Sequence, residues 1–128
     1  MVYRIENSLD LMELAGQGVT KTALLPLVRS INCPMSEMAR LLPVTERTIK
    51  RYRPQQPFNR VVSEHILQLA EITAYGTEVF SDGEKCLRWL RIPNAALGNR
   101  TPFELLNSRF GAEMICTELG RIEHGVCA

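Results

Sequence analysis

The sequence predicts an all-α protein in which a helix-turn-helix unit precedes a small helical domain. Three observations carry this. Apolar residues recur at three- and four-residue spacing through most of the 128-residue chain. Residues that start helices (Ser, Thr, Asp) and residues that stop them (Gly, Pro) bracket each periodic stretch. No stretch of four or more strictly alternating β-branched residues exists, so strands have little support.

A first helix is expected over about residues 8–16, with Ser8 as N-cap and Gly16 or Gly18 ending it. A second runs from Thr20 or Lys21 to about Ile31, with Leu24, Leu27, Val28 and Ile31 on one face and Pro26 in its first turns. A third opens with Pro34 at its first position, shows Met35, Met38, Ala39 and Leu42, and stops at Pro43. A fourth is capped by Thr45 and carries Ile49 inward. Pro54 and Pro57 close it, and Arg53, preceding a proline, is pushed out of helical geometry. A long fifth helix covers about 60–79, with Val62, Ile66, Leu69, Ala70 and Thr73 on its apolar side. After a break at Ser81-Asp-Gly-Glu84, a sixth covers about 83–91 and ends before Pro93. Asn94–Asn99 is a loop. Thr101 then caps a short helix with Pro102 first and Glu104 three residues after the cap. Asn107 or Ser108 caps a last helix running to about His124, and Gly125 supplies a left-handed ending. Residues 1–60 form a front region and 61–128 a second one.

Composition narrows the classes. Hydrophobic residues make up 45%, enough for a packed core. Unbroken apolar stretches such as Leu24–Leu25 and Ala95–Leu97 fall far short of the ~20 residues of a membrane span. The opening residues soon turn acidic and polar, unlike a secretory signal. Cys33, Cys86, Cys116 and Cys127 are scattered, with no C-x-x-C pair, as in reduced cysteines of a cytoplasmic protein. Cys116, His124 and Cys127 come closest to a metal set and lack an obvious fourth ligand, so no metal and no cofactor are expected.

Charge is uneven although the net is only +1. Residues 1–60 hold nine basic and five acidic side chains, and residues 61–128 hold six and nine. Arg47, Lys50, Arg51, Arg53 and Arg60 fall in a stretch without Asp or Glu. A basic front half suits an anion such as nucleic acid.

Segment 34–53 is the first informative one. Two short helices meet at a tight turn, with Ala39 at the close approach, Val44 at the turn and Ile49 packing back. Thr45, Glu46, Arg47, Thr48, Lys50, Arg51, Tyr52 and Arg53 are thereby left at the cap, outer face and end of the second helix, the one that enters the major groove in a helix-turn-helix. Arginine can read guanine edges, and Lys, Thr and Tyr suit phosphates. Pro43 stands where such turns often carry glycine, and it cannot supply a positive φ, so a different turn geometry is expected.

The second informative segment holds Trp89-Leu-Arg-Ile-Pro-Asn-Ala-Ala-Leu-Gly98, then Arg100-Thr-Pro-Phe-Glu-Leu-Leu106, then Leu119-Gly-Arg-Ile-Glu-His-Gly-Val126. With these runs the chain closely resembles the Xre/MbcA/ParS antitoxin family. Val62–Ala70 and Glu78-Val-Phe80 look like that family's central helix, and 34–53 like its Xre-like DNA-binding unit. The resemblance covers about residues 20–126. One departure is Asn99, where the family often has a second glycine.

The resemblance implies a type II antitoxin. Its second region would cover the active-site entrance of a toxin encoded beside it, most often one of the RES-domain class, which resembles ADP-ribosyltransferases and consumes NAD. Its front half would bind operator DNA as a homodimer and repress the shared operon. An acidic second region suits a basic pocket built for an anionic dinucleotide. Toxin contact is expected at Arg121, Glu123, His124, Gly125, Val126 and Cys127, since no core can claim Arg121, Glu123 and His124 together. Trp89, Leu90, Leu97, Phe103, Leu105 and Leu106 are expected in the core. No catalytic residues are expected. Ser63 and His65 sit two apart on a helix and point in different directions, and no Gly-rich phosphate loop exists. The other readings are a stand-alone helix-turn-helix regulator and a toxin-neutralising module that has lost DNA binding.

Overall fold

The structure, a computed structural model, describes the backbone of residues 2–125 and the side chains of residues 9–125. Among the described residues there are eight α-helices: α1 Val2–Gln17, α2 Lys21–Ser30, α3 Met35–Leu41, α4 Glu46–Arg51, α5 Arg60–Phe80, α6 Gly83–Arg91, α7 Pro102–Leu105 and α8 Arg109–Glu123. A 3-10 turn, Ala95–Leu97, lies between α6 and α7. The described residues contain no strand, only the isolated bridges Thr20–Pro57 and Asn94–Arg100. No helix among them is long and apolar enough to cross a membrane.

The chain divides into two compact units, one ending at Gln68 and one beginning at Leu69. Helix α5 contributes its first half to one and its second half to the other.

In the first unit Leu24, Ile31, Met38, Leu41, Leu42, Ile49, Phe58 and Val62 are buried. They fall at the helical spacings of their elements, as periodicity requires. Gly18 (φ +92°) ends α1, its N–H donating to the Leu14 carbonyl at 2.9 Å. Thr20 caps α2, its side chain accepting the Ala23 N–H at 3.2 Å. The segment after α4 returns to this cap. Phe58 N–H donates to the Val19 carbonyl at 2.8 Å, and both the N–H and the hydroxyl of Thr22 donate to the Pro54 carbonyl. Ser63 is fully buried and fully used: it accepts from Val19 N–H at 2.8 Å and donates to the Phe58 carbonyl at 3.2 Å.

The second unit buries Ile72, Cys86, Leu90, Leu97, Pro102, Leu106, Ala112, Ile115 and Leu119. Two glycines permit its close approaches. A Cβ on Gly76 of α5 would lie 2.6 Å from the Cys86 sulfur, and one on Gly111 of α8 would fall on the Leu105 carbonyl of α7. Burial raises the Cys86 thiol above its ordinary pKa, opposed by a hydrogen bond with Thr77. Trp89 and Phe80 pack at 5.7 Å, and the Arg91 guanidinium lies 3.8 Å from the Phe103 ring centre.

Several expectations are corrected. Helix α1 begins at Val2, so Ser8 lies inside it and not at its N-cap position. Pro26 is the sixth residue of α2, past the first turn, where it removes one backbone hydrogen bond. Pro34 is the N-cap of α3, with ψ 155°, and Met35 takes the first helical position. Trp89, Phe103 and Leu105 are half-buried, whereas Leu90, Leu97 and Leu106 are fully inside. The α3–α4 turn is not among these corrections: as Pro43 requires, it uses no positive φ, and Leu42 before it is extended (φ −114°, ψ 149°), the region a following proline favours.

Candidate functional site

Two surfaces gather the residues singled out above. The first is α4 and its flanks. Thr45 caps the helix, accepting the Thr48 N–H at 3.1 Å, with the two hydroxyls 2.8 Å apart. Ile49 is completely buried against the rest of its unit and fixes which face turns outward. Arg47, Thr48, Lys50, Arg51 and Arg53 are exposed, and Glu46 and Tyr52 are half-buried. Tyr52 stacks on Phe58 at 4.5 Å, so its ring serves packing as well as surface. Lys50 is paired with Glu46 at 3.6 Å. An exposed i,i+4 pair contributes only ~0.3–0.5 kcal/mol, so an arriving phosphate can displace it. No acidic side chain among the described residues pairs with Arg47, Arg51 or Arg53. Sequence reasoning missed Lys21, whose ammonium donates to the Lys50 and Tyr52 carbonyls at 3.4 and 3.3 Å and holds the end of α4. The signal for it would have been the bridge that brings Thr20 to Pro57, which no local pattern announces.

The second surface is on α8. Its buried residues, Ala112, Ile115 and Leu119, take one stripe. On the other stripe Phe110 is 76% and Met114 44% exposed. These two, with Ala96, Leu97, Glu113, Thr117, Glu118 and Arg121, line a shallow groove of about 420 Å³. Among the expected contact residues, Arg121 reaches this groove and pairs with Glu118 at 3.6 Å. Glu123 accepts from the Tyr75 hydroxyl at 3.0 Å and lies 3.4 Å from exposed His124 Nε2. Gly125 ends the helix with φ +66°. Val126 and Cys127 lie outside the described residues. Among the described residues no group of three or more His, Cys, Asp or Glu is placed to hold a metal ion.

The motif residues from Asn94 to Glu104 build part of the framework of the second unit. Asn94 Oδ1 accepts the Ala96 N–H at 2.8 Å and the Asn94–Arg100 bridge closes the loop. Gly98 (φ +70°) and Asn99 (φ +62°) turn it. Thr101 caps α7 by accepting the Glu104 N–H at 3.2 Å.

Residues 76–125 match the family described as antitoxin Xre/MbcA/ParS C-terminal toxin-binding domain, and residues 10–71 match the antitoxin Xre-like helix-turn-helix domain. The chain belongs to the Xre/MbcA/ParS antitoxin family. It is 32% identical over 95 residues to the antitoxin Xre of Yersinia enterocolitica, a match covering 73% of this chain and 64% of that one. It is 31% identical over 65 residues to the antitoxin Xre of Photorhabdus laumondii, covering 50% and 44%. The chain thus matches less than two thirds of the length of either relative. Its fold matches a chain in the crystal structure of the M. tuberculosis MbcT-MbcA toxin-antitoxin complex, with TM-score 0.62 at 16% identity, covering 84% of this chain and 96% of that one. In this Xre/MbcA/ParS member the helix-turn-helix match contains α3 and α4, and the toxin-binding match contains the whole α8 groove. Asn99 is left-handed, a conformation open to Gly without strain and to Asn at small cost.

Proposed function

We propose that this protein is a cytoplasmic type II antitoxin. It binds and neutralises a toxin encoded beside it, of the RES-domain class that consumes NAD, by covering the entrance to the toxin's active site. It performs no catalysis and carries no cofactor. The observation that supports this most is the match of residues 76–125 to a domain described as toxin-binding. Arg121, Glu123, His124, Gly125, Val126 and Cys127 are the residues proposed to reach the toxin.

The front unit binds operator DNA through Arg47, Lys50 and Arg51 on α4, with Thr48, Arg53 and the hydroxyl edge of Tyr52 as phosphate contacts. Thr45 and Glu46 shape and orient the helix. Two copies present two such helices to a palindromic operator, which represses the operon. The exposed, unpaired guanidinium groups of Arg47 and Arg51 support this reading over a module that has lost DNA binding.

The test is expression of the adjacent reading frame alone and together with this protein, with cellular NAD assayed in both. Growth arrest and NAD loss that the protein reverses are expected. Arrest reversed without any change in NAD removes the RES-class assignment and keeps the antitoxin. No toxicity at all removes the antitoxin reading and favours a stand-alone regulator. A chain lacking residues 121–128 is expected to keep its fold and lose protection, and full protection would remove the tail from the mechanism.

A further inference from the structure

We propose that the groove along α8 is a docking site for the toxin, and that it takes an apolar side chain flanked by a basic group. The proposal rests on the antitoxin reading above. It adds to the terminal run the α8 side chains Phe110, Glu113 and Met114, which lie outside the three motif runs of the sequence.

Three observations carry it. Among described residues of the second unit, the large hydrophobic side chains left exposed are Ile92, Phe110 and Met114, and the last two line this one concavity. Water-exposed phenylalanine at 76% has no role in the core, which α8 serves with its opposite stripe. An apolar concavity with a polar rim is the form expected of a binding surface.

The rim charges choose the partner's chemistry. Glu113 and Glu118 line the groove against one guanidinium, Arg121, and that group is already paired with Glu118. Glu113 is held only by Arg109, at 3.4 Å, in a pair exposed on both sides. The unit from Leu69 onward holds eight acidic and six basic side chains, a net of −2. An incoming Lys or Arg can therefore displace Arg109 at small cost and pair with Glu113, while an aliphatic or aromatic neighbour covers Phe110 and Met114. A second copy of this chain would bring the same acidic rim against itself.

The experiment measures binding of the full-length chain to the tagged, purified product of the adjacent reading frame. Phe110→Ala with Met114→Ala is expected to weaken binding by roughly 10–100-fold, the range of a central apolar anchor. Thr117→Arg, which plugs the groove from an exposed position, is expected to do the same while leaving the melting temperature unchanged. Glu113→Lys should weaken binding mainly at low salt. Unchanged affinity in Phe110→Ala/Met114→Ala and in Thr117→Arg, with the wild type binding, overturns the groove and leaves the antitoxin reading standing. No binding by the wild type overturns both. A change from dimer to monomer in the groove variants with toxin affinity intact assigns the face to self-association and overturns the proposal.

Discussion

Replacing Gly111 by alanine sets two effects of opposite sign against each other. Gly111 is the third residue of α8, and helix propensity alone predicts that alanine there stabilises by up to ~1 kcal/mol. The packing predicts the reverse. The added methyl would fall on the Leu105 carbonyl oxygen, with the Leu105 carbonyl carbon and Cβ both at 2.9 Å. That neighbour is backbone, so no rotamer change relieves the clash, and α7 must move away from α8. Overpacking of this kind costs ~1–3 kcal/mol. The movement also threatens the Ser108 cap, whose side chain accepts the Gly111 N–H at 3.0 Å and contributes ~1 kcal/mol. The balance is a loss of ~1–3 kcal/mol, or a fall in Tm of roughly 3–15 °C for a chain of this size. Thermal unfolding of the full chain followed by circular dichroism measures it. Gly83→Ala is the control: nothing lies within 4 Å of its Cβ, so propensity acts alone and Tm should hold or rise. A Gly111→Ala protein that melts at or above the wild-type temperature would refute the α7–α8 contact and the groove geometry with it.

Ser63→Ala leaves the Val19 N–H without its acceptor in a buried place and should cost ~1–3 kcal/mol by denaturant unfolding, although it removes a single oxygen. Asn99→Ala should cost ~1 kcal/mol because its φ is +62°, whereas Asn99→Gly should stay within ~0.5 kcal/mol; equal melts for both would contradict the left-handed turn. The Cys86 thiol has its pKa raised by burial, so the stability it contributes is complete below the unfolded thiol value of about 8.5 and is lost as pH rises through the higher folded value. Stability of the wild type should accordingly fall more steeply above about pH 9 than that of Cys86→Ala. Replacing Arg47, Lys50 and Arg51 together by alanine should abolish operator binding in a gel-shift assay and leave toxin neutralisation intact; retained operator affinity would remove α4 as the recognition helix.

The helices were legible because their determinants are local. Thr20, Thr45, Asp82, Thr101 and Ser108 each cap the helix that follows by accepting a backbone N–H. The family was legible partly through turn and cap residues, Asn94, Gly98, Thr101 and Gly125, whose types are dictated by backbone geometry. The contacts that join distant segments were not. Ser63 reads as an unremarkable polar residue on a helix until Val19 and Phe58 arrive beside it, 44 and 5 residues away in sequence. Lys21 joins the end of α4 for the same reason. Phe110 and Met114 are larger than much of the buried stripe of α8, Gly111, Ala112, Ile115 and Leu119, so the apolar pattern alone does not say that they face solvent. Gly111 decides it: with no side chain there, α7 closes on that face and leaves the other to solvent.

The two surfaces differ in the force that would hold a partner, and ionic strength separates them. The unit ending at Gln68 carries nine basic and six acidic side chains, net +3, and exposed Arg47, Arg51 and Arg53 lie on α4 and its C-terminal flank. Phosphate contacts there release counterions, and affinity falls with salt with a slope of about −0.9 for each phosphate neutralised. Arg47→Ala and Arg51→Ala should each flatten that slope by about one. Lys50→Ala should flatten it less, because Glu46 already neutralises part of its charge. A partner in the α8 groove would be held by covering Phe110 and Met114, and apolar burial gains slightly as salt rises. Raising the salt should therefore strip DNA from the protein while the toxin stays bound. A toxin complex that dissociates in parallel with the DNA complex would mean that charge, and not the groove, holds the toxin.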